Sequence, residues 1–255
     1  AFPPFKPKPI PKPGRFQPIR DARDFFSTGS KDLDEILGGG YPKGGIVLID
    51  IAERVSKAEY QLIVSPTIVN FMIQGRGLTL MPTVGMDSEL AKGIGLSYGV
   101  TENEVNRLMR VFELPTPGKD QSKPYTVVFE GKSAQKDYEG WAEAGRQLMQ
   151  EIGQPVLAVV GMDTLASLYG ADACDRYLSM EAARVRSHHT LGMLFAKAGV
   201  RALIGRLSAL AEVHLRLTGE HGSLLLYGVK PRTCLYAVEM DVSKGYPSPK
   251  LTPIV

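Results

Sequence analysis

Residues 27–50 read STGSKDLDEILGGGYPKGGIVLID, and the way this stretch folds decides the rest of the chain. Ser30 offers a side-chain oxygen to the open N–H groups of a helix start. Leu33, Ile36 and Leu37 then fall on one side at helical spacing, and the glycines at 38–40 end the helix. Residues 44–52, GGIVLIDIA, continue as an apolar run without alternation, the pattern of a strand covered on both faces. A short helix, a turn and a doubly buried strand predict the opening of an α/β domain.

Downstream, residues 57–74 have the length and apolar content of a helix, and 78–82 read as the next strand. Short helices are predicted at 87–95 and 102–108, a strand at 124–129, and a longer helix at 133–152 carrying Trp141, Ala144 and Leu148. PVLAVVGMD, residues 155–163, reads as another buried strand. The stretch 171–198 is predicted helical by length and composition, with strands after it at 200–204, 211–217, 223–229 and 234–240. Residues 218–222 make a hairpin loop between two of these. The pattern describes a mainly parallel sheet flanked by helices, with antiparallel edge strands near the C-terminus. No internal repeat or second boundary divides it, so 27–255 is read as one domain.

Residues 1–26 are a proline-rich basic arm or linker. The first 20 residues hold five basic groups, seven prolines and no acid. Each proline removes a backbone donor and biases the residue before it toward extended conformations, so the segment cannot fold alone. It is either a solvated tail or an arm that reaches a neighbouring subunit or a phosphate backbone.

With 255 residues, 22% of them charged and 44% hydrophobic, the chain can bury one sizeable core. Cys174 and Cys234 are too few for a disulfide framework and show no metal-ligand spacing with the four histidines. His188 and His189 are adjacent and point in different directions on a helix, so no metal site is expected. No apolar run approaches the roughly 20 residues of a membrane helix and nothing reads as a signal peptide, so a cytoplasmic protein with no membrane partner is expected. The net charge of +3 does not by itself imply a nucleic-acid partner.

The Thr28-Gly29 pair, the Leu33-Asp34 pair and the glycine triplet before the first core strand resemble the start of the ATPase domain of KaiC, RadA and related RecA-like proteins. The resemblance extends to the C-terminus mainly through element order, and it implies a RecA-like fold. In that family the first strand feeds a loop G-x-x-x-x-G-K-[ST], whose N–H groups converge on phosphates while the hydroxyl residue binds magnesium. Here the register reads IAERVSKA, residues 51–58. Ile51 and Ser56 stand at the glycine positions, Lys57 keeps the lysine, and Ala58 replaces the hydroxyl. Ile51 disfavours positive φ, and Asp50, Glu53 and Glu59 place carboxylates near a polyphosphate unless Arg54 and Lys57 offset them.

The family's next strand ends in glutamates that activate water. This one ends Met81, Pro82, Thr83, Val84, Gly85, without a general base. Asp87 and Glu89 suit the start of a helix through its dipole. VLAVVGMDTLASL, residues 156–168, resembles the family's strand ending in a metal-bridging aspartate, which implies that role for Asp163; capping of the next helix is the other reading. Arg54, Ser56, Lys57 and Asp163 are thus the expected vestigial nucleotide site. No catalytic residue and no cofactor are expected, with ATP and magnesium disfavoured.

Candidate nucleic-acid contacts are Lys6, Lys8, Lys12 and Arg15 in the arm, and Lys230 and Arg232 beside Tyr227 and Tyr236 near the final strands. Arg184, Arg186 and the two adjacent histidines are assigned to a solvated or subunit-facing surface. These features describe a non-hydrolysing RecA-like subunit that binds or regulates, as a homo-oligomer or beside an active paralogue, with DNA or RNA as a further partner. The resemblance supplies two comparisons: accessory subunits of Elongator, which lack a working phosphate loop, and RadA filaments, which use an F-x-x-A segment. Here Phe16 is followed three places later by Ile19, so that filament contact is not expected. The alternative is a KaiC/RadA-type ATPase of recombination or repair, with its base supplied by a neighbouring subunit.

Overall fold

The computed structural model describes residues 4–10 and 12–254. Strands β1 (Phe25–Phe26) and β2 (Tyr41–Pro42) pair antiparallel on either side of helix α1 (Lys31–Ile36). Next come β3 (Ile46–Ile51), α2 (Lys57–Ile73), β4 (Gly77–Met81), α3 (Ser88–Ser97), α4 (Glu102–Leu108), β5 (Met109–Glu113) and β6 (Thr126–Val128). They are followed by α5 (Ala134–Ile152), β7 (Val156–Gly161), α6 (Met162–Ser187) and β8 (Leu191–Ala196). A 3₁₀ segment, Ala198–Leu203, leads into α7 (Ile204–Leu210), and β9 (Val213–Glu220), β10 (Ser223–Lys230), β11 (Tyr236–Asp241) and β12 (Ser248–Pro253) complete the chain.

The main sheet has the order β12-β11-β10-β9-β3-β8-β7-β4-β5-β6. It is parallel from β9 to β6 and antiparallel from β9 out to β12, which is the predicted architecture. Every residue of β3, β4, β7 and β8 is buried, because helices cover both faces. Leu33, Val64 and Phe71 from the α1–α2 side pack with Val47 and Ile49 on one face. Trp141, Leu178 and Leu207 from α5, α6 and α7 pack with Leu48 and Val160 on the other.

The opening turn is held by polar groups. Ser30 Oγ accepts from Leu33 N at 3.4 Å, and the Asp34 carboxylate accepts from Ser27 Oγ at 2.6 Å, Thr28 N at 2.7 Å and Thr28 Oγ1 at 2.7 Å. Thr67 of α2 donates to the Thr28 carbonyl at 2.7 Å, which ties this turn to the helix. Gly29 fits between them with φ +78, and a Cβ there would run into the Pro66 carbonyl.

The segment before Ser27 runs along the domain. Phe5 N–H donates to the Gly222 carbonyl, Gly14 N–H to Gly245 and Phe16 N–H to Tyr98. The Phe16 ring is 3% exposed and packs between Tyr98 and Tyr246, with centroid distances of 6.1 and 5.0 Å. Arg15 donates to both Glu104 carboxylate oxygens, at 3.1 and 2.6 Å, and to the Gly99 carbonyl at 2.6 Å.

Four local expectations are corrected. The helix predicted across 171–198 ends at Ser187, and its last part, Leu191–Ala196, is the strand between β3 and β7. The strand predicted at 200–204 is instead 3₁₀ and α-helical, because the strand position beside β3 is already filled by β8. The hairpin loop predicted at 218–222 shrinks to His221 and Gly222, both left-handed, as β9 and β10 run through to Glu220 and Ser223. Strands β5 and β12 were not foreseen.

Two outcomes follow from this packing. Gly29→Ala combines a positive φ with overlap on the α2 backbone and is expected to lower unfolding free energy by about 3 kcal/mol in urea titrations. The Glu104 carboxyl is pushed down to about 2 from 4.5, first by the Arg15 hydrogen bonds and then by the Thr101 backbone and side chain against the cost of burial. A depressed carboxylate stabilises the fold fully above pH 4.5 and loses that contribution as pH falls toward 2. Glu104→Gln is therefore expected to flatten the acid limb of the stability curve and to speed proteolytic cleavage within residues 5–15.

Candidate functional site

Strands β3, β8, β7 and β4 lie side by side and release their C-terminal ends along one rim of the sheet, where open α/β sheets receive ligands. At the end of β3 the chain makes a short turn, with Val55 N–H donating to the Ala52 carbonyl and Ala52 N–H to Leu217, each at 3.0 Å. Among the described non-glycine residues only His189 and His221 have positive φ, so Ile51 completes the strand without strain. Ser56 then caps α2. Its Oγ accepts from Glu59 N at 3.4 Å, while the Glu59 carboxylate accepts from Ser56 N at 2.6 Å. This reciprocal cap takes up two donors at the helix end that would otherwise face an anion.

Two of the other expected site residues, Lys57 and Asp163, converge on the loop after β4. Lys57 Nζ donates to the Gly85 carbonyl at 3.2 Å, and Lys197, directly after β8, donates to Val84 at 3.1 Å. Asp163 Oδ2 accepts from Val84 N at 3.1 Å and faces Lys197 Nζ at 3.6 Å. Thr164 Oγ1 donates to the Pro82 carbonyl at 2.7 Å. Beneath Lys197, at 5.5 Å, lies the Tyr60 ring, whose hydroxyl is 3.5 Å from Thr83 Oγ1. Burial pushes the Tyr60 phenol up, and the Asp163 charge adds to that against the Thr83 hydrogen bond. Arg54 is exposed on the 52–55 turn, with no side-chain partner among the described residues.

The structure reassigns several expected roles. Asp163 does not cap α6: the cap position is Gly161, and the carboxylate instead fastens the β4–α3 loop. Asp50 turns away from the rim into the sheet interior, where Arg216 Nη1 lies 3.0 Å and His214 Nε2 3.8 Å away; Ser208 Oγ is 2.9 Å from the other ring nitrogen of His214. Asp87 does cap α3, accepting from Leu90 N, and that bond chiefly holds its carboxyl below the usual range. Glu89 binds Lys123 and the Tyr125 hydroxyl. Glu113 is buried, which opposes its ionisation, but hydrogen bonds from Lys119, Ser88 and Gln121 outweigh burial and keep its carboxyl low.

The six candidate nucleic-acid residues do not form one surface. Lys6, Lys8 and Lys12 are exposed on the segment that crosses from Gly222 to Gly245, whereas Lys230 and Arg232 follow the far end of β10. At about 3.3 Å per residue, β10 separates them by about 23 Å. Arg15 is committed to Glu104, and Lys230 Nζ donates to the Ala211 carbonyl at 2.5 Å. On the surface predicted around His188 and His189, both histidines and Arg186 are exposed, but Arg184 is drawn inward onto the buried Glu181. Among the described residues no group of three or more His, Cys, Asp or Glu is placed to hold a metal ion, and no helix is long and apolar enough to cross a membrane.

Lys197 and Thr164 escaped the sequence reading. Lys197 becomes a rim residue only once LGMLFA, residues 191–196, is recognised as a strand, because basic groups at strand ends carry meaning only with the strand in place. An apolar cleft adjoins the rim between α2 and α3, lined by Tyr60, Val64, Met72, Met86, Ile94 and Phe195 among others.

Comparison with known proteins places this geometry in context. A family model described as GvpD basic region 2 matches residues 15–93. Protein GvpD1 of Halobacterium salinarum is 26% identical over 303 aligned residues, covering 95% of this chain and 54% of that protein. The chain thus spans about half the length of the curated relatives it matches. An uncharacterized Pyrococcus horikoshii protein, solved in complex with an unknown peptide, superposes with a TM-score of 0.66 at 17% identity, over 90% of this chain and 100% of its own. A KaiC-like protein of the same organism superposes at 0.61 with 11% identity, over 91% of this chain and 100% of its own. The fold is that of KaiC-like RecA domains.

Asp163→Ala removes both the acceptor for Val84 N–H and the partner of Lys197. Hydrogen exchange at the Val84 amide is expected to accelerate about tenfold while the β3 amides stay protected, a local loss of about 1–2 kcal/mol. Unchanged exchange at Val84 would mean that the loop is held by other contacts.

Proposed function

We propose that this chain is a non-hydrolysing RecA-like subunit that acts by binding or regulating rather than by turning over a nucleotide. The observation that carries the reading is the self-satisfied end of α2. Ser56 and Glu59 cap each other, Lys57 is spent on the Gly85 carbonyl, and Ala58 offers no oxygen to a metal. A triphosphate in this place has to displace the Glu59 carboxylate from Ser56 N, at a cost of about 1.5–3 kcal/mol for one charged hydrogen bond, before it gains any contact. The strand that would present a water-activating glutamate ends at Met81 and Pro82. The reading is therefore a scaffold whose partners are further copies of this chain, an active RecA-like paralogue, or DNA or RNA. The solved neighbour that carries an unknown peptide is consistent with binding that needs none of the missing groups.

A second reading, a weak ATPase of the KaiC/RadA type, draws support from the convergence of Lys57, Lys197 and Asp163 on one loop. Opened, that loop would leave two cations and a carboxylate facing a nucleotide.

Calorimetric titration with ATP and a non-hydrolysable analogue, with and without magnesium, separates the two. The scaffold reading expects no binding tighter than about 1 mM in either condition, and an assembled species or a complex by light scattering, alone or with nucleic acid. Magnesium-dependent binding in the micromolar range, with phosphate release that disappears in Lys57→Ala and in Asp163→Ala, would assign the chain to the ATPase. A strict monomer with every candidate partner would count against the scaffold.

A further inference from the structure

A second cavity lies on the opposite face of the sheet from the apolar cleft, between α5 and α6, over Met81 at the end of β4 and Val160 of β7. Its wall is aromatic and acidic: Tyr138, Trp141, Tyr169, Tyr177, Asp137 and Glu181. Tyr138 and Tyr177 reach it from the two helices and pack at 5.2 Å between ring centroids. Trp141 sits deepest, backed by Phe112 at 4.8 Å. The cavity proper is about 40 Å³ and widens into an open mouth, room for an ammonium head group with the rest of a ligand outside.

The charges here are arranged differently from those at the rim. Glu181 is 3% exposed and is neutralised by Arg184, at 2.9 and 2.5 Å. Asp137 accepts from the Tyr169 hydroxyl at 2.7 Å and has no basic partner among the described residues. The cavity therefore holds a carboxylate that no cation among the described residues pairs with. Two phenols bordering the cavity are shifted for different reasons. Burial first and the Glu181 charge second push Tyr138 up to about 12, and burial with the Asp137 hydrogen bond raises Tyr169.

The backbone bends to form this wall. Helix α6 is broken at Gly170, with φ +77 and ψ 172, one residue after Tyr169. A Cβ at Gly170 would meet nothing within 4 Å, so the position demands a backbone angle and not space. The break lets Tyr169 and Tyr177, on separate helical segments, both border one opening.

We infer that this cavity is a binding site for a small organic cation, a primary or methylated ammonium group held by the aromatic side chains and by Asp137. Aromatic rings attract ammonium ions through their quadrupole, most strongly where water is displaced, and one uncompensated carboxylate supplies the counter-charge. A free polyamine or quaternary amine and the side chain of a modified lysine share this chemistry. The inference stands independently of the rim reading, since neither Lys57, Asp163 nor residues 82–87 line the cavity.

The chain has one tryptophan, so fluorescence of the intact protein reports on Trp141 directly. The probes are tetramethylammonium, spermidine and N-acetyl trimethyl-lysine amide, with 3,3-dimethylbutan-1-ol as the neutral isostere. At least one cation is expected to give a saturable change with a midpoint below about 1 mM, and the neutral alcohol to bind about tenfold more weakly. Which cation saturates at the lowest concentration separates a free amine from a lysine side chain. Asp137→Asn and Tyr177→Leu, both checked for native circular dichroism, are expected to weaken that cation by about tenfold. No saturable response to any cation, equal binding of the neutral alcohol, or undiminished binding in both variants would overturn the assignment.

Discussion

The half-buried carboxylate of Asp34 is the point on which the domain is assembled. It accepts hydrogen bonds from the Ser27 hydroxyl and from the backbone and hydroxyl of Thr28, and through Thr28 and Thr67 it fixes the opening turn to α2. Burial raises its carboxyl above the usual range, and those hydrogen bonds oppose the rise without cancelling it. A half-buried acid is kept here because its acceptors determine the direction of the chain. Each residue of the opening motif has a task in this arrangement. Thr28 and Asp34 bind each other, Gly29 allows contact with Pro66, Leu33 fills the core, and the glycines return the chain past Phe26 to begin β3. Once β3 and α2 are set in this way, the rim at the end of β3 has its position.

What lies on that rim follows from how its charges are paired. Asp50 is matched by Arg216 across the β3–β9 ladder, Asp163 by Lys197, and Glu59 by the Ser56 backbone. Ionised groups in a low-dielectric setting are costly unless paired, so pairs such as Asp50–Arg216 resist being opened by a competing ligand. A phosphate-binding loop works the other way, leaving N–H groups and a lysine unsatisfied until the ligand arrives. Packing and charge pairing on this scaffold depend on different atoms, so one can change while the other is kept.

Much of this was legible in the sequence, for reasons particular to each element. Residues 44–52 are apolar except for Asp50, so β3 could be read as a doubly covered strand, and Ser30 marked a helix start through its capping chemistry. Strand β8 was hidden because Leu191, Met193, Leu194, Phe195 and Ala196 suit a helix as well as a strand, and no glycine or proline separates α6 from it strongly enough to break the pattern. Only the tertiary slot between β3 and β7 decides between the two. Strand β12 was hidden by Pro249 and Pro253, which argue against a central strand and are tolerated here because β12 is an edge. At the site, Lys57 and Asp163 were singled out through the family resemblance. The inward turn of Asp50 could not be foreseen, since it depends on the register that sets Asp50 against Arg216.

The two faces of the sheet therefore differ in what they leave for a partner. On the rim side Asp163 and Glu59 are answered from within the chain and Lys57 and Lys197 are bound to carbonyls, while Arg54 stays exposed. On the α5–α6 side Asp137 is answered, among the described residues, by a phenol, which supplies a hydrogen bond but no charge. A neutral donor leaves most of a carboxylate's field intact, and low-polarity aromatic walls carry that field further than water would. The cavity floor includes Met81, the last residue of β4, so it lies next in the chain to the loop whose Val84 amide Asp163 holds.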